Sequence, residues 1–160
     1  MSKEFLINNL IVICDDKYYD YLNKFKWSIL PNTEKIKKKY AMTRIRINGK
    51  PKWFSMATIV MGFKTQRGKH IDHINGNSLD NRESNLRYCT RSQNNSNRSG
   101  SSKKQYKGVF KLNNGKFKAQ LYYNKKYLYL GTFSNPLDAA KEYDLASIKY
   151  HGIYGKRNFS

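Results

Sequence analysis

His70–Asn97, HIDHINGNSLDNRESNLRYCTRSQNNSN, is the stretch on which the reading of this chain turns. Two histidines, two aspartates and seven asparagines crowd into it, and short polar side chains at that density favour loops that bond their own backbone. Lys69 to Ile74 reads as a strand ending at Asn75-Gly76, a pair that tolerates positive φ. The polar stretch to Asn85 reads as a structured loop, and Leu86 to Cys89 as a second short strand. Thr90-Arg91-Ser92-Gln93 matches a capping box, in which Thr and Gln satisfy each other's amide hydrogens at a helix start, with Asn94 on the first turn. The order is strand, loop, strand, helix. Adjacent strand residues point to opposite faces, so Asp72 and His73 can share a site only where the strand bends into its loop. With Asn94 delivered from the helix, such a site can surround one metal ion.

Upstream, Leu10 to Ile13 is a short apolar run ending at Asp15-Asp16, which can cap a following helix by accepting its free amide hydrogens. Tyr18, Tyr21, Leu22 and Phe25 recur at helical spacing and predict one buried face. Lys35 to Lys39 is a basic segment, solvated or touching phosphate. Tyr40 to Ile47 alternates, and Asn48-Gly49 before Lys50 to Phe54 predicts a two-stranded ribbon. Alternation puts Arg44 and Arg46 on one face and Ile45 and Ile47 on the other. A ribbon with a basic face fits a DNA major groove, and an ordinary half-buried hairpin has the same pattern. Ser55 to Phe63 predicts a short helix with Met56, Ile59 and Val60 turned inward, and Thr65 to Lys69 a basic connection.

Downstream, Ser96 to Ser102 is a linker of small residues, after which basic and aromatic residues alternate. Tyr106 to Leu112, Lys116 to Tyr123 and Lys126 to Leu130 predict three strands, separated by turns at Asn113-Asn114-Gly115 and Asn124. Asn135-Pro136 starts a helix whose stripe is Ala139, Tyr143, Ala146 and Tyr150, ended by Gly152. The alanines let it lie close on one face of the sheet. The other face, with Lys116, Lys118 and Gln120 joined by Lys111, Lys126 and Tyr127, is left for solvent or DNA.

Thirty-one Lys and Arg against eleven Asp and Glu give a net charge of +20, more than solubility requires, and point to a polyanionic partner. The excess is +7 over residues 1–63, +4 over 64–100 and +9 over 101–160, so no segment offsets it. Cys14 and Cys89 have no paired spacing, which argues against a disulfide framework or a cysteine-ligated zinc. His70 and His73 lack the further ligands that a closed zinc site needs, so no zinc is expected. No apolar run approaches the roughly 20 residues of a membrane span, and MSKEFLINN lacks a signal-peptide pattern. An intracellular protein is expected, in the cytoplasm of a bacterial or virus-infected host or in a nucleus, with no membrane partner.

Asp72-His73, Asn75-Gly76, Asp80-Asn81-Arg82, Asn85-Leu86 and Asn94 together resemble the HNH nucleases of the ββα-metal fold, most closely phage and intron-encoded homing endonucleases. The pattern covers roughly residues 69–98 and departs in one respect. Relatives often carry a His-Arg pair in the preceding helix, where this chain has Met56-Ala57-Thr58. The resemblance implies that His73 is the general base activating water, that Asp72 and Asn94 are metal ligands, and that Asn85 braces the loop and orients His73. Arg91, three residues before Asn94, is placed to contact the leaving phosphate. An unperturbed histidine titrates near ~6.5, so His73 can take a proton from water at neutral pH. A carboxylate and an amide oxygen are hard donors and suit one divalent ion, magnesium or alternatively manganese. Asp80, Asn81 and Arg82 are expected to shape the loop.

Tyr106-Lys107-Gly108-Val109, Leu130-Gly131-Thr132-Phe133, Ala139-Ala140, Tyr143-Asp144 and Ala146 resemble the Apetala-type DNA-binding domain of plant ethylene-response regulators, which also occurs fused to HNH homing endonucleases. That resemblance implies a three-stranded sheet lying in the major groove. Plant relatives use arginines and tryptophans on this face, whereas this chain offers lysine and tyrosine, and lysine reads bases less specifically than the planar arginine fork. The whole reading is an α+β chain with an HNH nuclease domain over 1–98 (an N-terminal region 1–69 and the ββα motif 70–98), a linker over 99–105 and a DNA-binding domain over 106–160. Its expected activity is metal-dependent hydrolysis of double-stranded DNA by a monomer or homodimer, with no small-molecule cofactor. The alternatives are a non-catalytic DNA-binding regulator with the HNH segment as scaffold, and an RNA-binding protein using the tyrosine-rich sheet.

Overall fold

The computed structural model describes residues 1–33, 36–64, 66–100 and 105–159, with only the backbone of 31–33 and 36–37. Lys35 of the basic segment, Thr65 of the basic connection and residues 101–104 of the linker lie outside the described residues. The architecture is α+β, with small antiparallel sheets and short helices, and the chain divides into two compact units, Met1–Cys89 and Thr90–Ser160.

In the first unit, β1 (Ser2–Ile7) and β2 (Leu10–Asp15) form a hairpin across Asn8 and Asn9, both at positive φ. The apolar run at Leu10 is thus half of a pair. β1 escapes the sequence reading because only Phe5 and Ile7 turn inward from it. α1 (Asp16–Leu22) follows, and here the capping expectation is corrected. Asp15 occupies the N-cap position, but its Oδ2 accepts the backbone N–H of Glu83 at 2.7 Å instead of a helix amide. The aromatic stripe is also narrower than predicted. Leu22 is buried, whereas Tyr21 is exposed and Phe25 lies past the end of α1, packing beside Trp27.

The predicted two-stranded ribbon is three-stranded, in the order β3 (Ser28–Thr33), β4 (Ile36–Ile47), β5 (Lys50–Ser55). Asn48-Gly49 closes β4 onto β5 with both residues at positive φ. Ala41 and Thr43 are buried, and Ile45 packs against the core. Ile47 does not join them: it sits beside the turn and is exposed. α2 (Met56–Val60) is capped by Ser55, whose Oγ accepts the Thr58 N–H, and it buries Met56, Ala57, Ile59 and Val60. These residues, with Phe5, Val12, Cys14, Leu22 and Leu86, form the core of the unit. Burial raises the Cys14 thiol to about 11, so it behaves as a small apolar side chain. β6 (His70–His73) and β7 (Leu86–Cys89) pair antiparallel.

In the second unit, α3 (Arg91–Ser96) starts with the predicted capping box: Thr90 Oγ1 accepts the Gln93 N–H, and Gln93 Oε1 accepts the Thr90 N–H at 2.8 Å. Its last carbonyl, on Ser96, receives Lys107 Nζ at 2.6 Å and the Lys156 N–H at 3.1 Å. β8 (Val109–Lys111), β9 (Phe117–Tyr123) and β10 (Lys126–Phe133) make a sheet with β9 in the middle. α4 (Pro136–His151), capped by Asn135 with Pro136 in its first turn, buries Ala139, Ala140, Tyr143 and Ala146, packing Ala139 and Ala140 with Val109 and Ala119, and Tyr143 and Ala146 with Leu121. Gly108 is needed here: a Cβ would come within 2.0 Å of the Tyr143 ring, and its φ is +76°. Buried Asp144 accepts the N–H groups of Asn158 and Phe159, and the Asn158 amide bonds the Lys107 backbone. The tail is thereby tied to the strand entry.

Candidate active site and nucleic-acid interface

β6 delivers Asp72 and His73 into the interior, 4 % and 7 % exposed. Because the two side chains leave the strand on opposite sides, they meet different partners. Arg87 stands directly opposite Asp72 on β7 and donates Nε and Nη2 to Asp72 Oδ2 at 3.0 and 2.8 Å. His73 Nε2 lies 3.3 Å from Asn81 Oδ1, and the Tyr40 ring stands 6.2 Å from the imidazole, centre to centre. Burial, with the charge of Lys38 adding to it, lowers the His73 pKa below its ordinary value against the opposing pull of Asn81 and the nearby carboxylates. The ring is therefore neutral at pH 7 and able to accept a proton.

The loop between β6 and β7 is held by its own asparagines and by β2. Asn85 Oδ1 accepts the Asn75 N–H at 2.9 Å, and Asn85 Nδ2 donates to Asn75 Oδ1 and to the Asp80 carbonyl. Asn75 Nδ2 reaches Asp80 Oδ2, and Arg82 donates to both Asp80 oxygens. These bonds, Arg82 first among them, pull the Asp80 carboxyl below its usual range. Two backbone bonds, Ile13 N–H to Leu79 O and Asn81 N–H to Ile13 O, then fasten the loop to β2. Asn81 is the side chain that meets the His73 ring, and Asn85 is the keystone of the loop. From sequence alone Asn81 has only a loop-shaping role, and Arg87 is not marked. The signal for Arg87 is parity: two strands of four residues each, closed at His73↔Leu86, put residue 87 across from residue 72.

Arg91 opens α3 and is exposed, and Asn94 lies in the same helix with its N–H bonded to the Thr90 carbonyl. His70 is exposed at the start of β6. Arg44 and Arg46 are exposed on β4, paired with Trp53 and Pro51 of β5.

In the C-terminal sheet, Ala119 and Leu121 point to α4, which turns Lys118 and Gln120 outward as the alternation predicts, with Lys116 in step at the strand's start. Two of the expected residues are corrected. Lys111 pairs with Phe117, and Lys126 with Tyr123, whose ring packs on Tyr150 of α4; both lysines therefore alternate to the helix side of the sheet. The cause is the two-residue turn Asn124-Lys125, both at positive φ, which fixes Lys126 opposite Tyr123. Tyr127 remains outside, opposite Tyr122 with ring centroids 4.9 Å apart, and Tyr129 stands opposite Gln120. These three tyrosines are 54–69 % exposed. Among the described residues, no helix is long and apolar enough to cross a membrane.

The chain thus presents a buried Asp-His pair at the mouth of an asparagine-pinned loop, followed along the sequence by a second strand and a capped helix. Residues 65–96 match the family model described as HNH endonuclease. An uncharacterized HNH endonuclease of Acanthamoeba polyphaga mimivirus is 33 % identical over 101 residues, which cover 63 % of this chain and 53 % of that protein. Over a separate part of the chain, an AP2-like ethylene-responsive transcription factor of Arabidopsis thaliana is 42 % identical over 57 residues. An AP2/ERF and B3 domain-containing protein of Oryza sativa subsp. japonica is 41 % identical over 54 residues. Each plant match covers 34 % of this chain, and the chain spans only 16 % and 15 % of the two plant proteins' length. One segment of the chain is thus similar to HNH endonucleases, and a separate segment is similar to AP2/ERF-type proteins.

Proposed function

We propose that this protein is a metal-dependent endonuclease of double-stranded DNA, of the site-specific homing type, in which the segment 1–98 cuts and the module 106–160 tethers, joined by the linker 99–105. The observation that carries the reading is the placement of His73: buried, with its Nε2 3.3 Å from Asn81 Oδ1 at the mouth of the loop, and its pKa lowered by that burial. His73 takes the proton of the attacking water. Asn81 and the Asn85 bonds keep the ring and its loop in place. Arg91 meets the leaving phosphate, and Arg44 and Arg46 pair with the backbone of the duplex.

Among the described residues, no three of His, Cys, Asp and Glu converge on one point. On the resemblance to HNH nucleases, Asp72 would supply the charged donor and Asn94 an amide oxygen. That donor set fits a hard cation that keeps several waters, magnesium or manganese, and does not fit zinc. When bound there, the ion supplies charge that offsets the phosphate and the leaving oxygen.

The test is incubation of purified protein with long duplex DNA and Mg²⁺ or Mn²⁺. Cleavage that EDTA abolishes, and that His73→Ala loses while still binding DNA, is the expected result. A wild type that leaves DNA intact, or a His73→Ala protein that cuts equally well, refutes it. One observation favours a non-catalytic regulator: the Asp72 carboxylate is already neutralised by Arg87. DNA binding without metal-dependent cutting is the outcome that selects that reading.

A further inference from the structure

We infer that the outer face of the C-terminal sheet reads an A·T-rich duplex, with Gln120 recognising an adenine and the exposed tyrosines lying against thymine methyl groups. This rests on the proposal that the module binds duplex DNA. Charge complementarity sets the occupant: Lys116 and Lys118 share the face, and no acidic residue stands in β8, β9 or β10.

The side chains decide what is read. Arginine and lysine are the commonest readers of guanine, the arginine fork the more specific of the two, and the three strands contain no arginine. Lysine is a point charge suited to phosphate, and Lys118 Nζ already lies 5.7 Å from the Phe110 ring centre. The residue on this face able to make a planar two-point contact is Gln120, the middle residue of the middle strand. Its backbone N–H bonds the carbonyl of Gly108, and across β10 its neighbour is Tyr129. A glutamine amide pairs with adenine through N6 and N7. The neighbouring Tyr122, Tyr127 and Tyr129 are exposed aromatic rings on the same face, for which the apolar feature of the groove is the thymine methyl.

Such a bidentate contact discriminates against a wrong base by roughly 5- to 150-fold. The test is selection from a randomised duplex library by the full chain in EDTA, comparing wild type with Gln120→Ala, Tyr127→Ala and the Lys116→Ala/Lys118→Ala pair. The expected wild-type consensus is A·T-rich. Gln120→Ala should lose preference at one adenine by roughly 5- to 150-fold while holding the flanking positions. Replacing thymine by uracil in the selected site removes one methyl, and should weaken wild type about fourfold and Tyr127→Ala less. A G·C-rich consensus, or one unchanged in Gln120→Ala, overturns the inference alone. If the double lysine variant binds all DNA as tightly as wild type, the sheet is not the DNA-binding face, and the tethering role falls with it.

Discussion

Replacing Arg87 by Gln tests whether the Asp72 carboxylate depends on its cross-strand partner. Both side chains are shielded, 11 % exposed for Arg87 and 4 % for Asp72, and two guanidinium N–H groups converge on one carboxylate oxygen. Removing one member of a buried pair leaves an uncompensated charge and costs about 3–5 kcal/mol, against about 5–15 kcal/mol for the whole stability of a typical domain. With a urea slope of about 1–3 kcal/mol per molar, the unfolding midpoint should fall by roughly 1–3 M or more. The only tryptophans are Trp27 and Trp53, both in the first unit, so their fluorescence reports on the part of the chain that holds the pair. Adding Asp72→Asn removes the stranded charge, and the double variant should recover most of the loss. If Asp72 holds the proposed cation, millimolar Mg²⁺ should raise the midpoint of Arg87→Gln more than that of wild type. An Arg87→Gln protein within about 0.5 kcal/mol of wild type, the range of ordinary surface substitutions, would refute the reasoning. So would a double variant no more stable than the single one.

Three further outcomes are expected. Asn81→Ala should lower DNA cleavage and move its acid limb, because the histidine loses the partner that favours its charged form, while binding holds; an unchanged pH profile contradicts the positioning role. Gly108→Ala should destabilise the second unit by about 1–3 kcal/mol, since overpacking against Tyr143 adds to strain at positive φ; an unchanged melting temperature counts against it. The Asp80 carboxyl is held below its ordinary 3.8, so its contribution to stability is present above that pH and is lost as the pH falls through the lowered value. Arg82→Gln should therefore move acid unfolding to higher pH, as read by circular dichroism, and a coincident titration would exclude this link.

Local signals were the legible ones. The box at Thr90 and Gln93, the turns at Asn48-Gly49 and Asn75-Gly76, and the helix start at Asn135-Pro136 each depend on residues a few positions apart, and each lies where expected. What escaped reading depends on partners distant along the chain. Asp15 is a good cap in isolation, yet Glu83, 68 residues away, takes its carboxylate. Asn81 reads locally as a loop-shaping residue, and only the fold brings it to His73. Lys126 looked like a member of the basic face, and only the register set by Asn124-Lys125 turns it to the other side. Composition told that the sheet was basic and aromatic; pairing told which lysines and tyrosines share a surface.

The fastening of the β6–β7 loop to β2 bears on how this chain can be cut and recombined. Leu79, Asn81 and Glu83 all take hydrogen bonds from, or give them to, Ile13 and Asp15. A fragment confined to residues 65–96 would carry every letter of the nuclease pattern and lack the splint that shapes it. The C-terminal sheet and helix, by contrast, are locked to their own tail through Asp144 and Asn158. A graft of the HNH-like segment should therefore begin at the first strand, not at the motif.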